Sequence, residues 1–513
     1  MTESFRGLSR RGFLLGVPAC ALSFSALAAS SKDASVKSSV TAGHEYLSLS
    51  AVDAVARMRS GDLSAERYAQ ALLTRCAAGH ALNAFITLDS DRVLEHARAA
   101  DRLRQSGARL GPLHGLPIPV KDSINTREYP TTGGTPALRN FRPQEDAPIV
   151  RRLVDAGAIV LGKTNLHELS FGWTSNNLAY GAVHNPYDPT RIPGGSSGGT
   201  GAAIAARMAP LGVAEDTEGS IRVPAALCGV AGFRPTTRRY STEGAVPISA
   251  RFDQVGPHAR SVADLVLFDQ VAAGDAAPVA EQSLRGVRLA VGRRYWFEGL
   301  DPEVERLTEA AFARLRDAGV EFVEAEVPDI AELVGLITAQ VQQHDVRFDL
   351  PRYLERYGVK LSFDEVVTAA SADIRAVFAR DVLPGGSGFV TEEVYRAAVD
   401  VHLPRLQENY RRYFADTRAA AIVFPPSRVP APRIGAVDVE IRGVKVPVDE
   451  AVARNISAGS TAGLPGLVLP IGLAASGLPV ALEFDGPAGG DRTLLALGLA
   501  LEKALGKIPG PPV

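Results

Sequence analysis

The sequence predicts an α/β fold: one large domain with a mixed, twisted β-sheet covered on both faces by helices. Two stretches carry this prediction. PIPVK (117–121) reads as a short apolar strand, and it is followed by a helical pattern over 149–156 and a buried strand over 158–162. Farther on, strand-like 287–291 leads to a helix at 302–318, opened by Asp301 and Pro302, and then to strand-like 320–327. Strands alternating with helices place a sheet under helical layers, and proline at a first helical position fits its fixed φ. The bulk composition permits such a core. The chain has 513 residues, 46% hydrophobic and 22% charged, which is globular rather than disordered.

The other elements follow in order. Residues 46–110 form a helical section, with Leu49, Val52, Val55 and Met58 at helical spacing and Ser64 as an N-cap. AAIAARM (202–208) is a helix of small residues. The segment 330–415 is mainly helical, with a break at PGGSG (384–388), and could cap a site. A last helix runs from Asp491 to Leu505. Ahead of the domain, residues 29–45 read as a linker rich in Ser, Lys and Ala. Residues 1–28 read as a twin-arginine-type signal: SRRGFLL (9–15), an apolar run, and ALA (26–28) before the cut. The apolar run is shorter than the roughly 20 residues a span needs, so no stable membrane span is expected. A lipid-attachment reading at Cys20 is disfavoured, because apolar residues continue past it. The expected location is the periplasm.

Charge excludes further classes. Lys plus Arg number 55 against 57 Asp plus Glu, a balance that gives no reason to expect nucleic acid or a general membrane-surface role. The three cysteines, Cys20, Cys76 and Cys228, have no metal-ligand spacing. No HExxH occurs, and no GxSxG elbow is found in strand–turn–helix context. His114, His167, His184 and His258 are read as structural hydrogen-bonding residues.

Three segments can carry chemistry. In GLPIPVKD (115–122), Lys121 closes an apolar run. Such surroundings disfavour the ammonium and suit a base working near neutrality. Taken alone, the simpler reading is a lysine that snorkels outward and pairs with Asp122. In PGGSSGG (193–199), glycines flank Ser196 and Ser197 and permit close backbone approach. In DTEGSIRVPA (216–225), Gly219 before Ser220 lets the chain turn tightly and aim N–H groups at one point. Each oxyanion donor removed from such a turn costs roughly 3 kcal/mol of catalysis. Read alone, it is also a polar loop capping a helix that begins near Ile221.

Together, and in this order, the three segments resemble the amidase signature family. Asn165, Leu166, Glu168, CGVAGFRP (228–235) and AGLP (462–465) match it as well, so the likeness runs from about residue 46 to the C-terminus. The resemblance implies that Ser220 is the nucleophile, Ser196 a bridging serine preceded by a cis peptide, and Lys121 the terminal base. It implies an acyl-enzyme mechanism without metal or cofactor. The backbone of Thr217, Glu218 and Gly219 would hold the oxyanion, and Ser197, Asp216 and Arg222 would support the site. The tail LPVALEFDGPAGGD (478–491) resembles members that hydrolyse arylacetamides. The expected reaction is cleavage of small aromatic or apolar carboxamides to acid and ammonia, and a homodimer is one expectation for the assembly. Anilides, carbamates and peptide amides are alternative substrates. A glutaminase subunit of a transamidation complex is a further alternative, which the export signal disfavours.

Where the family pattern is Gly-Thr-Asp-x-Gly-Gly-Ser, residues 214–220 read Ala-Glu-Asp-Thr-Glu-Gly-Ser, and two of the exchanges bear on the site. Glu215 replaces the threonine, a change expected to be tolerated on a loop edge. Glu218 replaces a glycine. If that position needs φ > 0, glutamate is strained there. Its charge would also oppose an oxyanion by about 2 kcal/mol at about 8 Å and an effective dielectric of about 20. Glu218 therefore marks either a retuned substrate pocket or an impaired, binding-only amidase fold.

Overall fold

The structure is a computed structural model that describes residues 45–512. The signal of residues 1–28, Cys20 and nearly all of the linker lie outside the described residues. The domain is built on an eleven-stranded sheet. Its strands are β1 (Phe85–Leu88), β2 (Pro117–Lys121), β3 (Ile159–Thr164), β4 (Leu211–Asp216), β5 (Ala231–Arg234), β6 (Gln254–Ala259), β7 (Arg288–Val291), β8 (Glu321–Glu324), β9 (Ala421–Phe424), β10 (Gly466–Leu473) and β11 (Pro479–Asp485). Across the sheet they run β1-β3-β2-β4-β6-β5-β10-β11-β9-β7-β8. The sheet is mixed. β2 is parallel to β3 and β4, whereas the run from β4 through β6, β5, β10 and β11 to β9 is antiparallel.

The N-terminal section folds as α1 (Ala51–Ser60), α2 (Ala65–Ala78) and α3 (Ser90–Gln105). Ser64 caps α2 by accepting from the Arg67 N–H. The section is not wholly helical, as its sequence suggests. The short run FITL between two long amphipathic helices forms β1, which pairs antiparallel with β3 at the sheet edge. Tertiary pairing overrides the helical context of its neighbours.

Two short helices follow the chemical segments directly: α4 (Gly198–Ala205) and α5 (Arg222–Cys228). Both are buried along their whole length. Two longer ones border the site, α6 (Ile330–Arg356) and α7 (Val448–Ala462). α6 packs Ile337 and Val341 with Trp296, Phe424 and Ala458 in a second apolar cluster, separate from the main core under the sheet. Among the described residues no helix is long and apolar enough to cross a membrane. Cys76 and Cys228 are both free and buried.

Candidate active site

Register along the parallel strands brings the site together. Val120 of β2 sits beside Val213 of β4, so Lys121 and the end of β4 emerge at the same edge. Lys121 is fully buried, and its Nζ lies 2.7 Å from Ser196 Oγ and 2.7 Å from Glu215 Oε2. Lys121 does not pair with Asp122. The Asp122 carboxylate is held by Lys163 at 3.1 Å and by Thr132, because Lys163 on the adjacent β3 points to the same side.

Ser196 stands on the glycine loop, after a cis Gly195–Ser196 peptide. The loop has no room for larger residues. A Cβ on Gly195 would come within 2.7–2.9 Å of the backbone of Trp173, Thr174 and Ser175. The following residue stitches the loop to its neighbours. Ser197 Oγ donates to the Glu215 carbonyl at 2.9 Å, and Ser197 N–H donates to the Ser220 carbonyl at 3.3 Å.

Ser220 lies in the turn between β4 and α5 and is 4% exposed. Asp216 shapes the turn: its carboxylate accepts from Gly219 N–H at 2.7 Å and Ile221 N–H at 2.9 Å. Burial pushes that carboxyl up, but the guanidiniums of Arg222 and Arg234 outweigh it and hold Asp216 well below the usual carboxylate range. Of the three N–H groups expected to hold an oxyanion, that of Gly219 is thus committed to Asp216. Thr217, Glu218 and Ser220 carry the turn's remaining N–H groups. Among the described residues no side chain hydrogen-bonds Ser220 Oγ. A link from Ser220 to Ser196 therefore closes only when the hydroxyl comes within reach, and catalytic hydrogen bonds are often looser without substrate.

The left-handed residue of the turn is Gly219, at φ 105°, and Glu218 is not in that region. Glutamate at 218 is therefore not strained. Its side chain leaves the turn, with one oxygen accepting from Gln342 Nε2 of α6 at 2.7 Å and the other from Ser457 Oγ of α7. Its carbonyl accepts from Trp173 Nε1 at 2.8 Å. Burial pushes the Glu218 carboxyl up.

Glu215 overturns the loop-edge expectation. It is the next-to-last residue of β4 and 1% exposed. Besides Lys121, its carboxylate accepts from Ser170 Oγ at 3.2 Å and lies 3.1 Å from Thr217 Oγ1. The sequence also gave no signal for Asp253, Gln342 or Ser457, whose roles appear only when distant segments pack together. His258, buried between strands, accords with its structural reading. Its Nε2 donates to the Ile221 carbonyl at 2.6 Å, and burial pushes it down to about 4, so the imidazole is neutral.

A buried lysine–serine pair beside a serine-bearing turn is an arrangement suited to acyl transfer. A family model described as Amidase matches residues 67–495. The chain belongs to the amidase family. This amidase is 40% identical over 450 residues to an indoleacetamide hydrolase of Agrobacterium vitis, covering 88% of this chain and 95% of that protein. It is 36% identical over 476 residues to a mandelamide hydrolase of Pseudomonas putida, covering 90% and 92%. Among solved structures, a peptide amidase bound to the competitive inhibitor chymostatin superposes with a TM-score of 0.79 at 30% identity, covering 91% of this chain and all of that one. The amidase is an amide hydrolase with the single large α/β domain of its family.

Proposed function

We propose that this amidase hydrolyses small carboxamides with an aromatic or apolar acyl group, releasing ammonia through an acyl-enzyme on Ser220. The observation that carries the reading is the buried 2.7 Å contact between Lys121 Nζ and Ser196 Oγ, beside the turn that presents Ser220. In the cycle, neutral Lys121 takes the Ser196 proton as Ser196 takes that of Ser220, which attacks the amide carbonyl. The proton returns through Ser196 to the leaving nitrogen, and ammonia departs. Water then attacks the ester, with the same relay acting as base. N–H groups of the turn face the oxyanion. The names of the indoleacetamide and mandelamide hydrolases support the aromatic acyl group. The twin-arginine pattern supports action outside the cytoplasm, which fractionation of cells carrying the full chain would test.

The mature protein should release ammonia from phenylacetamide, mandelamide and indole-3-acetamide. Turnover confined to anilides, carbamates or peptide amides would overturn the substrate class. Glu218→Gly separates a tuned site from an impaired one. Because Glu218 ties the turn to α6 and α7, its loss should change the relative kcat/KM among these amides by about tenfold, the worth of roughly one hydrogen bond. A rise of several orders of magnitude on every amide would show instead that the glutamate impairs the site.

A further inference from the structure

Lys121 does not face Ser196 alone. Its other close partner, Glu215, leads on to a second buried carboxylate. Thr217 Oγ1 lies 3.1 Å from Glu215 Oε1 and 2.7 Å from Asp253 Oδ1. Both carboxyl groups are almost fully buried, at 1% and 2% exposure. A threonine hydroxyl has one proton to give. It cannot donate to two carboxylate oxygens at once, so both contacts are hydrogen bonds only if one carboxyl group is itself protonated. Asp253 also accepts from the N–H groups of Ile248 and Ser249, at 3.0 and 3.1 Å.

We propose that Glu215 and Asp253 share a single proton through Thr217, and that this chain makes Glu215 the positioning residue that sets how strongly Lys121 holds its own proton. The inference rests on the functional reading given above. In one arrangement Asp253 carries the proton and donates to Thr217 Oγ1, while the Thr217 hydroxyl donates to Glu215, whose full negative charge faces Lys121. In the other, Glu215 carries it on Oε1 and donates to Thr217, which donates to Asp253. Two protons each move across one hydrogen bond in the same direction, and no charge enters or leaves. With Glu215 neutral, its Oε2 still accepts an N–H of the Lys121 amine, and the nitrogen lone pair is left for the Ser196 proton.

The surroundings suit this role. Burial, and then the charge of Glu215, push the Asp253 carboxyl well above the ordinary range. The other charged groups nearby are already matched. Asp122 is paired with Lys163, and Asp216 with Arg222 and Arg234. His167 and His258 are both pushed down to about 4 by burial and stay neutral. Asp345 accepts from Ser249 Oγ, and Asp349 from the Ala250 N–H, on the far side of the Asp253 loop.

The test is the pH dependence of kcat/KM for a phenylacetamide-type amide. Glu215→Gln removes the carboxylate from Lys121 without changing its shape. The acidic limb should move down by about one pH unit or more, and kcat should fall about tenfold because the base is weaker, with KM little changed. Asp253→Asn fixes the Asp253 end as neutral and leaves Glu215 fully ionised. The limb should move the opposite way, up by about half a unit. Thr217→Val breaks the chain and should move the limb upward as Asp253→Asn does, which keeps the test open if either carboxyl variant does not fold. A limb unmoved by Glu215→Gln overturns the proposal. So does a downward shift, or none, in the Asp253 and Thr217 variants. A wild-type protein whose Ser220 cannot be acylated fails the functional reading and removes the basis of this one. An acylated Ser220 with an unmoved limb overturns only this inference.

Discussion

Ser220→Ala should abolish covalent labelling by a fluorophosphonate and lower kcat by at least about 10⁴-fold, the scale seen when a nucleophile that works as part of a unit is removed. KM should change little, because the turn is held by Asp216 rather than by the serine hydroxyl: Gly219 and Ile221 both donate to the Asp216 carboxylate. The double variant Ser196→Ala/Ser220→Ala should then be scarcely worse than Ser220→Ala alone, since groups acting in one relay are strongly non-additive. Persistent labelling of Ser220→Ala would mean that another residue is the nucleophile. Ser196 is the first to inspect, because it is the serine in direct contact with Lys121.

The second large effect is on stability. Arg222 is fully buried. It donates to Asp216 through Nε at 3.1 Å, to Glu483 through Nη1 at 2.6 Å, and to Ser460. Arg234 adds a second guanidinium, 3.3 Å from Asp216, and Asp485 lies in the same pocket and is pushed up to about 6, chiefly by burial. Replacing Arg222 by methionine keeps much of the volume but leaves buried carboxylates without their main counter-charge. That loss costs about 3–5 kcal/mol. It should appear as a lower denaturant midpoint at neutral pH, or as insoluble expression. Arg222→Lys restores charge without the planar fork and should recover only part of the loss. A Met variant as stable as the wild type would show that the carboxylates take up protons at little cost.

Much of this site was legible in the chain because its chemistry sits in contiguous words. Lys121, Ser196 and Ser220 each stand in a short segment whose glycines and prolines announce a special backbone, and their order carried the family likeness. The strand and helix around each were equally readable from apolar runs. Glu215 was misread for a physical reason: an acidic residue next to Asp216 looks solvated, and burial of the strand end depends on β6 lying alongside. Asp253 could not be linked to it, since the hydroxyl joining them belongs to a turn whose side-chain directions no local pattern gives. Glu218 was flagged correctly as unusual, but its freedom from strain followed from the structure, which puts the positive φ one residue later.

The Arg222 network has a consequence for where the enzyme can be divided. All three residues of the proposed relay fall in the first 220 positions, so that stretch reads as the reactive half of the protein. Yet the arginine at the start of α5 takes counter-charges from Glu483 and Asp485 of β11, near the other end of the chain. A fragment ending before residue 479 would keep every member of the proposed relay and lose the carboxylates that fix the helix just after Ser220. The last strand of the chain is therefore tied to the Ser220 turn through Arg222, and a truncation that removes it is expected to lose activity even though the proposed relay is intact.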